Sequence, residues 1–195
     1  MLFKVLSMVA DKLNKENITW GIGASVMLHQ YGLVSMPNDI DILVEIKDIE
    51  KVDGILKEMG EKKPLNPIKT YSTKYFYEYE LQGVDIDVMA GLTINHEEGR
   101  YEYAFHKDSL VFAKGNDISN DPSGEFNLDY ITLPFTTLED WYVIYQLIPG
   151  RENKVQLIED YLKAKGTCRV DILKRTLNQP LPYKVEKRIK AFMML

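Results

Sequence analysis

Asp39-Ile40-Asp41-Ile42-Leu43-Val44 is the stretch on which the fold turns. Acidic and large aliphatic residues alternate and then give way to an apolar end, which is the period of a strand and not of a helix. Successive side chains on a strand point to opposite faces, so Asp39 and Asp41 share one face while Ile40, Ile42 and Val44 take the other. Aspartate is a poor strand former, and a pair of aspartates punctuating so apolar a run implies a use for their charge. A second stretch repeats the pattern: Gly83-Val84-Asp85-Ile86-Asp87-Val88-Met89 puts Asp85 and Asp87 together on one face. Converging carboxylates repel one another and are costly to desolvate, so such a cluster calls for a cation. Hard oxygen donors suit magnesium or manganese and not zinc. Paired divalent ions are a common device for displacement at phosphorus.

Working outward, the small-residue turn Gly21-Ile22-Gly23-Ala24-Ser25 precedes the Asp-x-Asp run. Ile18-Thr19-Trp20 reads as a short strand entering it, and Val26-Met27-Leu28 as a buried helix leaving it, with Gly32 as the stop. A strand-to-helix turn presents unpaired N–H groups and the positive end of a helix dipole, which favour an anion such as a triphosphate. Gly23 would leave those amides open to phosphate, and the Ser25 hydroxyl would add a donor. Asp48 caps a helix running to Met59, which Gly60 ends, and Pro64, Asn66 and Pro67 mark a loop. Lys74 to Leu81 alternates as a strand, and Gln82-Gly83 turns it into the second acidic strand, making an antiparallel hairpin.

At this point the chain resembles the nucleotidyltransferase superfamily, the polymerase-β-like group that includes antibiotic nucleotidyltransferases and the minimal nucleotidyltransferases of bacteria and archaea. The resemblance rests on the Gly23-Ala24-Ser25 turn, the helix after it, Asp39-x-Asp41 on the next strand and a third acid on a later one. It covers about the first half of the chain and is closest to the small members, including those related to abortive-infection toxins. Members usually carry Gly-Gly-Ser or Gly-Ser at the turn, where Ala24 stands here. The family's third acid is flanked by large aliphatics just before its strand ends, a pattern that Asp87 matches better than Asp85. The resemblance implies that Asp39, Asp41 and Asp87 are catalytic and hold Mg2+ or Mn2+, and that Gly23, Ala24 and Ser25 hold the phosphates of a nucleoside triphosphate. It implies transfer of a nucleoside monophosphate to an acceptor, small molecule or macromolecule. The alternatives are a regulatory nucleotide-binding module without turnover, or a toxin-like enzyme that modifies tRNA or protein and has an antitoxin partner.

The remainder of the chain changes character. Val111-Phe112-Ala113 and Tyr130-Ile131-Thr132-Leu133 read as short strands separated by a polar stretch with Gly115, Asn116, Pro122 and Gly124. Thr137-x-x-Asp140 fits a capping box before Trp141 to Tyr145, a helix that Pro149-Gly150 ends. Arg151 to Lys165, Val170 to Leu177 and Tyr183 to Met194 supply three more helices. The expected class is therefore α/β: a small mixed sheet flanked by helices over residues 1–134, then a helical segment over 135–195.

Composition sets the outer bounds. Of 195 residues, 45% are hydrophobic and 27% charged, enough apolar material for a full core. A net charge of −5 argues against extended nucleic-acid binding, which needs a basic face. The lone Cys168 cannot form an intrachain disulfide, and no apolar run approaches membrane-spanning length. Residues from Leu2 to Lys15 read as an amphipathic helix and not a leader, so a cytoplasmic location is expected. His29 reads as packed, and His96 and His106 as surface residues. Lys74, Arg100, Arg151 and Lys154 could neutralise phosphate charge, but each reads most simply as a surface cation. Tyr71, Tyr75, Tyr77, Tyr79, Tyr101 and Tyr103 read as either sheet packing or a stacking surface.

Overall fold

The computed structural model describes residues 1–64, 71–115 and 131–194. The loop expected at Asn66 and Pro67, the polar stretch with Asn116, Pro122 and Gly124, and Tyr130 lie outside the described residues. The chain opens with α1 (Leu2–Lys15), which buries Val5, Leu6, Val9, Ala10 and Leu13 on one side. It continues through β1 (Trp20–Ile22), α2 (Ala24–Gln30), β2 (Ile40–Val44), α3 (Ile49–Met59) and β3 (Glu61–Lys62). Then come β4 (Tyr75–Leu81), β5 (Val84–Ala90), β6 (Thr93–His96), β7 (Gly99–Glu102), β8 (Val111–Lys114) and β9 (Thr132–Phe135). Four helices close it: α4 (Leu138–Leu147), α5 (Glu152–Lys165), α6 (Val170–Thr176) and α7 (Tyr183–Phe192).

The main sheet has seven strands in the order β3-β4-β5-β2-β1-β9-β8. It is mixed: β2 runs antiparallel to β1 and parallel to β5, while β1 runs parallel to β9. The β2–β5 register is what positions the acids, because it sets Asp41 directly opposite Asp87 and Leu43 opposite Met89. The β4–β5 hairpin forms as the sequence predicts. Its two-residue turn holds both Gln82 (φ 53°) and Gly83 (φ 76°) in the left-handed region, the geometry that matches strand twist.

Two expectations need correction. Asp48 precedes α3, but its side chain makes no capping hydrogen bond. The last strand lies two residues later than expected, at Thr132–Phe135, because Pro134 sits within it opposite Phe112 instead of ending it. The β6–β7 hairpin was not legible, since among its residues only Ile94 and Tyr101 are buried, too few to declare a period. Thr137 does cap α4: its hydroxyl accepts from the Asp140 amide at 3.3 Å and donates to the Asp140 carboxylate at 2.8 Å. The helical segment shares its core with the sheet, Trp141, Tyr142 and Ile144 belonging to the same apolar cluster as Ile22, Val26 and Ile42. No described helix is long and apolar enough to cross a membrane.

Candidate active site

Asp39 lies just before β2 and Asp41 within it, both half-buried on the face that carries Asp87 in β5. The helix after the turn is tied to them. The Gly23 amide donates to the Asp41 carbonyl at 2.9 Å, and the Ser25 hydroxyl donates to the Asp39 carboxylate at 3.2 Å. Ser25 therefore orients Asp39 directly. The Gly23 amide, being engaged, is not open to a ligand, so the open donors of the turn are those of the first turn of α2 that follow it. Glycine is needed at position 23 for another reason than the one the sequence suggests. A Cβ there would run into the Trp141 ring and the Leu43 side chain. Ala24 takes φ 44°, in the left-handed region that favours glycine.

Asp85 and Asp87 part company. Asp85 is exposed and held by Lys63 at 2.5 Å, whereas Asp87 faces Asp41. Among the described residues neither Asp41 nor Asp87 has an ion-pair partner. Burial pushes Asp41 up to about 8, reinforced by the charges of Asp39 and Asp87 and opposed by Lys154 and Arg151. Burial likewise raises Asp87 to about 7, helped by Asp39, Glu78 and Asp85 and opposed by Lys63. Glu78 stands opposite Asp87 on β4, and its Oε2 is buried without a hydrogen-bond partner. The sheet thus holds a row of carboxylates with more negative charge than its own cations neutralise.

A cleft of about 410 Å³ lies over this row. Its floor includes Asp39, Asp41, Asp87, Met89 and Phe76, and Ala24 and Ser25 form one end. The opposite wall comes from the end of α4 and the start of α5: Trp141, Tyr145, Ile148, Arg151 and Lys154. Arg151 and Lys154, which the sequence offers as phosphate neutralisers but more simply as surface cations, are functional candidates here. Both line the cleft, and both exert their charge on Asp41. Lys154 is half-buried, its Nζ 3.5 Å from the Tyr145 hydroxyl and 5.0 Å from the ring centroid. Burial lowers its pKa, as does Arg151 beside it, while Asp41 and Asp39 pull it back up. One signal was available: cations in the first turn of a helix oppose its dipole, so Arg151 and Lys154 behind Pro149-Gly150 stand where a purely structural sequence would not put them.

The other candidates separate cleanly. His29 is packed, its Nδ1 2.8 Å from the Val34 carbonyl and its ring against Phe3. His106 is exposed, but His96 is half-buried with neither ring nitrogen partnered, so it is not the surface residue expected. Tyr71 lines the cleft, whereas Tyr79 is buried and donates to Asp53 at 2.5 Å. Among the described residues no three His, Cys, Asp or Glu side chains stand close enough to enclose a metal ion as they lie. The donor set nevertheless fits one in its chemistry: hard carboxylates on one face, Asp41 and Asp87 set opposite each other by register and Asp39 just before β2.

No family model matches the chain, and no curated protein matches it either. Solved structures do. A Thermotoga maritima protein assigned as a nucleotidyltransferase matches with a TM-score of 0.58 at 19% identity, over 84% of this chain and 96% of that one. ANT(2″)-Ia, solved in complex with adenylyl-2″-tobramycin, matches with a TM-score of 0.53 at 13% identity, over 98% and 97% of the two chains. The lincosamide antibiotic adenylyltransferase LnuA, solved with lincomycin bound, gives 0.51 at 17% identity over 81% and 96%. At these identities the likeness is one of fold, which this chain shares with those solved structures.

Proposed function

We propose that this chain, built on the nucleotidyltransferase fold, transfers a nucleoside monophosphate from a nucleoside triphosphate to an acceptor hydroxyl with the help of Mg2+ or Mn2+. The observation that carries the reading is one cleft in which Asp41, set opposite Asp87 by register, faces Arg151 and Lys154. Carboxylates and cations on opposing walls match a metal–triphosphate complex, which carries both signs of charge. That two of the structural neighbours were solved with an adenylylated or acceptor-type antibiotic supports the same class of chemistry for this cleft.

Asp39, Asp41 and Asp87 would hold the divalent ions, which when bound supply charge neutralisation and orientation at the α-phosphorus. The chain's own residues do the rest. Ser25 fixes the Asp39 carboxylate, so the turn and the acidic strand move as one unit. Arg151 and Lys154 attract the β- and γ-phosphates and stabilise the charge of the departing pyrophosphate. Tyr145, lying against Lys154, holds that side chain in the cleft. Asp87, on the far side of Asp41 from the turn, faces the position an acceptor hydroxyl must take. No nucleophile of the protein is needed, because alignment and neutralisation suffice.

Thermal unfolding tests the reading. Mg2+ with a nucleoside triphosphate is expected to raise the midpoint of the wild-type protein, and neither alone should do so to the same extent. Asp41→Asn should fold and lose the joint shift. A joint shift in Asp41→Asn equal to that of the wild type would remove the carboxylates from the function.

A further inference from the structure

We infer that Thr136 is a positioning residue for the proposed site: its hydroxyl holds the Trp141 indole against the Gly23–Ser25 turn and so fixes the Asp39 carboxylate. This rests on the transfer reading above and goes beyond it, because Thr136 does not itself line the cleft. Thr136 follows β9 and is fully buried. Its backbone N–H donates to the Ile22 carbonyl at 2.9 Å, continuing the pairing of β9 with β1. Its hydroxyl donates to the same carbonyl at 2.9 Å and accepts from Trp141 Nε1 at 2.7 Å. The carbonyl therefore has two donors, whereas the hydroxyl is the one acceptor of the indole N–H among the described residues.

The indole bears on the turn directly. Trp141 is buried, yet it lines the cleft beside Ala24 and Ser25. A Cβ on Gly23 would collide with its six-membered ring, so the ring lies flush against the Gly23 backbone. Gly23 in turn donates to the Asp41 carbonyl, and Ser25, two residues on, donates to the Asp39 carboxylate. A chain of contacts thus runs from Thr136 through Trp141 and the turn to two of the three carboxylates. Replacing the hydroxyl by a methyl leaves a buried indole N–H without an acceptor, which is costly, while Ile22 keeps its backbone donor. The cleft beside the ring gives the indole room to turn toward a new partner. Metal and triphosphate would then have to restore the packed ring with its N–H unsatisfied, and affinity would fall. A hydroxyl that served only the stability of the core would not act on binding.

The test is calorimetric titration of the whole chain, saturated with Mg2+, with the α,β-methylene analogues of ATP, GTP, CTP and UTP, the tightest serving throughout. Thr136→Val is expected to weaken binding by about tenfold or more, a step near the lower end of what a buried unsatisfied donor costs. Thr136→Ser keeps the hydroxyl and should stay within about threefold of wild type. Thr176→Val should do the same, since it removes a similarly buried hydroxyl that bonds to the Ile172 carbonyl within α6, outside the cleft. Should Thr136→Val fail to fold, Trp141→Phe, which has no N–H, takes its place. It should weaken binding by about tenfold or more, and adding Thr136→Val to it should cost at most about threefold further. A smaller loss in whichever variant is used would overturn the inference. So would a loss beyond threefold in Thr136→Ser or Thr176→Val, or a further loss beyond threefold in the double variant. Failure of the wild type to bind any analogue would instead sink the transfer reading, and the inference with it.

Discussion

Asp41 and Asp87 stand opposite each other on adjacent hydrogen-bonded strands, and among the described residues no cation is ion-paired to either. Their raised pKa values have a definite consequence for pH dependence. A carboxyl whose pKa is raised on folding adds stability below its unfolded value, near 3.8, and loses it as pH rises through the folded values of about 7 and 8. The metal-free protein should therefore lose stability between pH 4 and 8, and the stabilisation by Mg2+ should grow across the upper part of that range. Melting curves with and without Mg2+ at pH 6 and pH 8 check this. A magnesium shift no larger at pH 8 than at pH 6 would disagree. The turn yields a second prediction. Ala24→Gly relieves a left-handed alanine, worth about 1–2 kcal/mol, against the roughly 0.5–1 kcal/mol entropic cost of glycine. The variant should be unchanged or up to about 1.5 kcal/mol more stable in denaturant titration. Gly23→Val, by contrast, should destabilise through collision with Trp141 and so says nothing of phosphate.

At the scale of elements, the two acidic strands, the hairpin between β4 and β5 and the capped start of α4 were legible because each has its own local signal. Asp39 and Asp41 break an apolar alternation, Gln82-Gly83 is a turn, and Thr137 caps α4. The start of α5 was not legible as part of the site, because nothing in the sequence around Arg151 and Lys154 says which surface that helix meets. Only the packing of α4 and α5 over the sheet puts those cations opposite Asp41. Arg151→Ala and Lys154→Ala are each expected to weaken triphosphate binding by about 1.5–3 kcal/mol, the usual range for a hydrogen bond to a charged group. Calorimetric titration measures it, and affinity unchanged in both would leave the α5 wall structural. Away from the site, α3 is fastened to the sheet through Asp53. Burial opposes its charge, but hydrogen bonds from Lys57, Lys62 and Tyr79 prevail and hold it at about 2. A shift of that size corresponds to about 2 kcal/mol, present above pH 4 and lost as pH falls toward 2. Asp53→Asn should cost about that much at neutral pH and little at pH 2, a difference visible in urea unfolding.

At the scale of the molecule, the sequence carries the α/β class and the carboxylate row because both follow from alternation along single strands. It does not carry the cleft, which needs an order of strands. Asp87 meets Asp41 only because β5 lies beside β2, and Tyr79 turns away from the site only because odd positions of β4 face α3. The central claim is that this cleft holds divalent metal and triphosphate together. Crystals grown with Mn2+ and an α,β-methylene nucleoside triphosphate test it most directly, because anomalous scattering locates manganese without ambiguity. The expected map has manganese among Asp39, Asp41 and Asp87 with the triphosphate between Ser25 and the Arg151–Lys154 wall. Triphosphate bound elsewhere, or manganese absent from the three carboxylates while the triphosphate is present, would contradict the account.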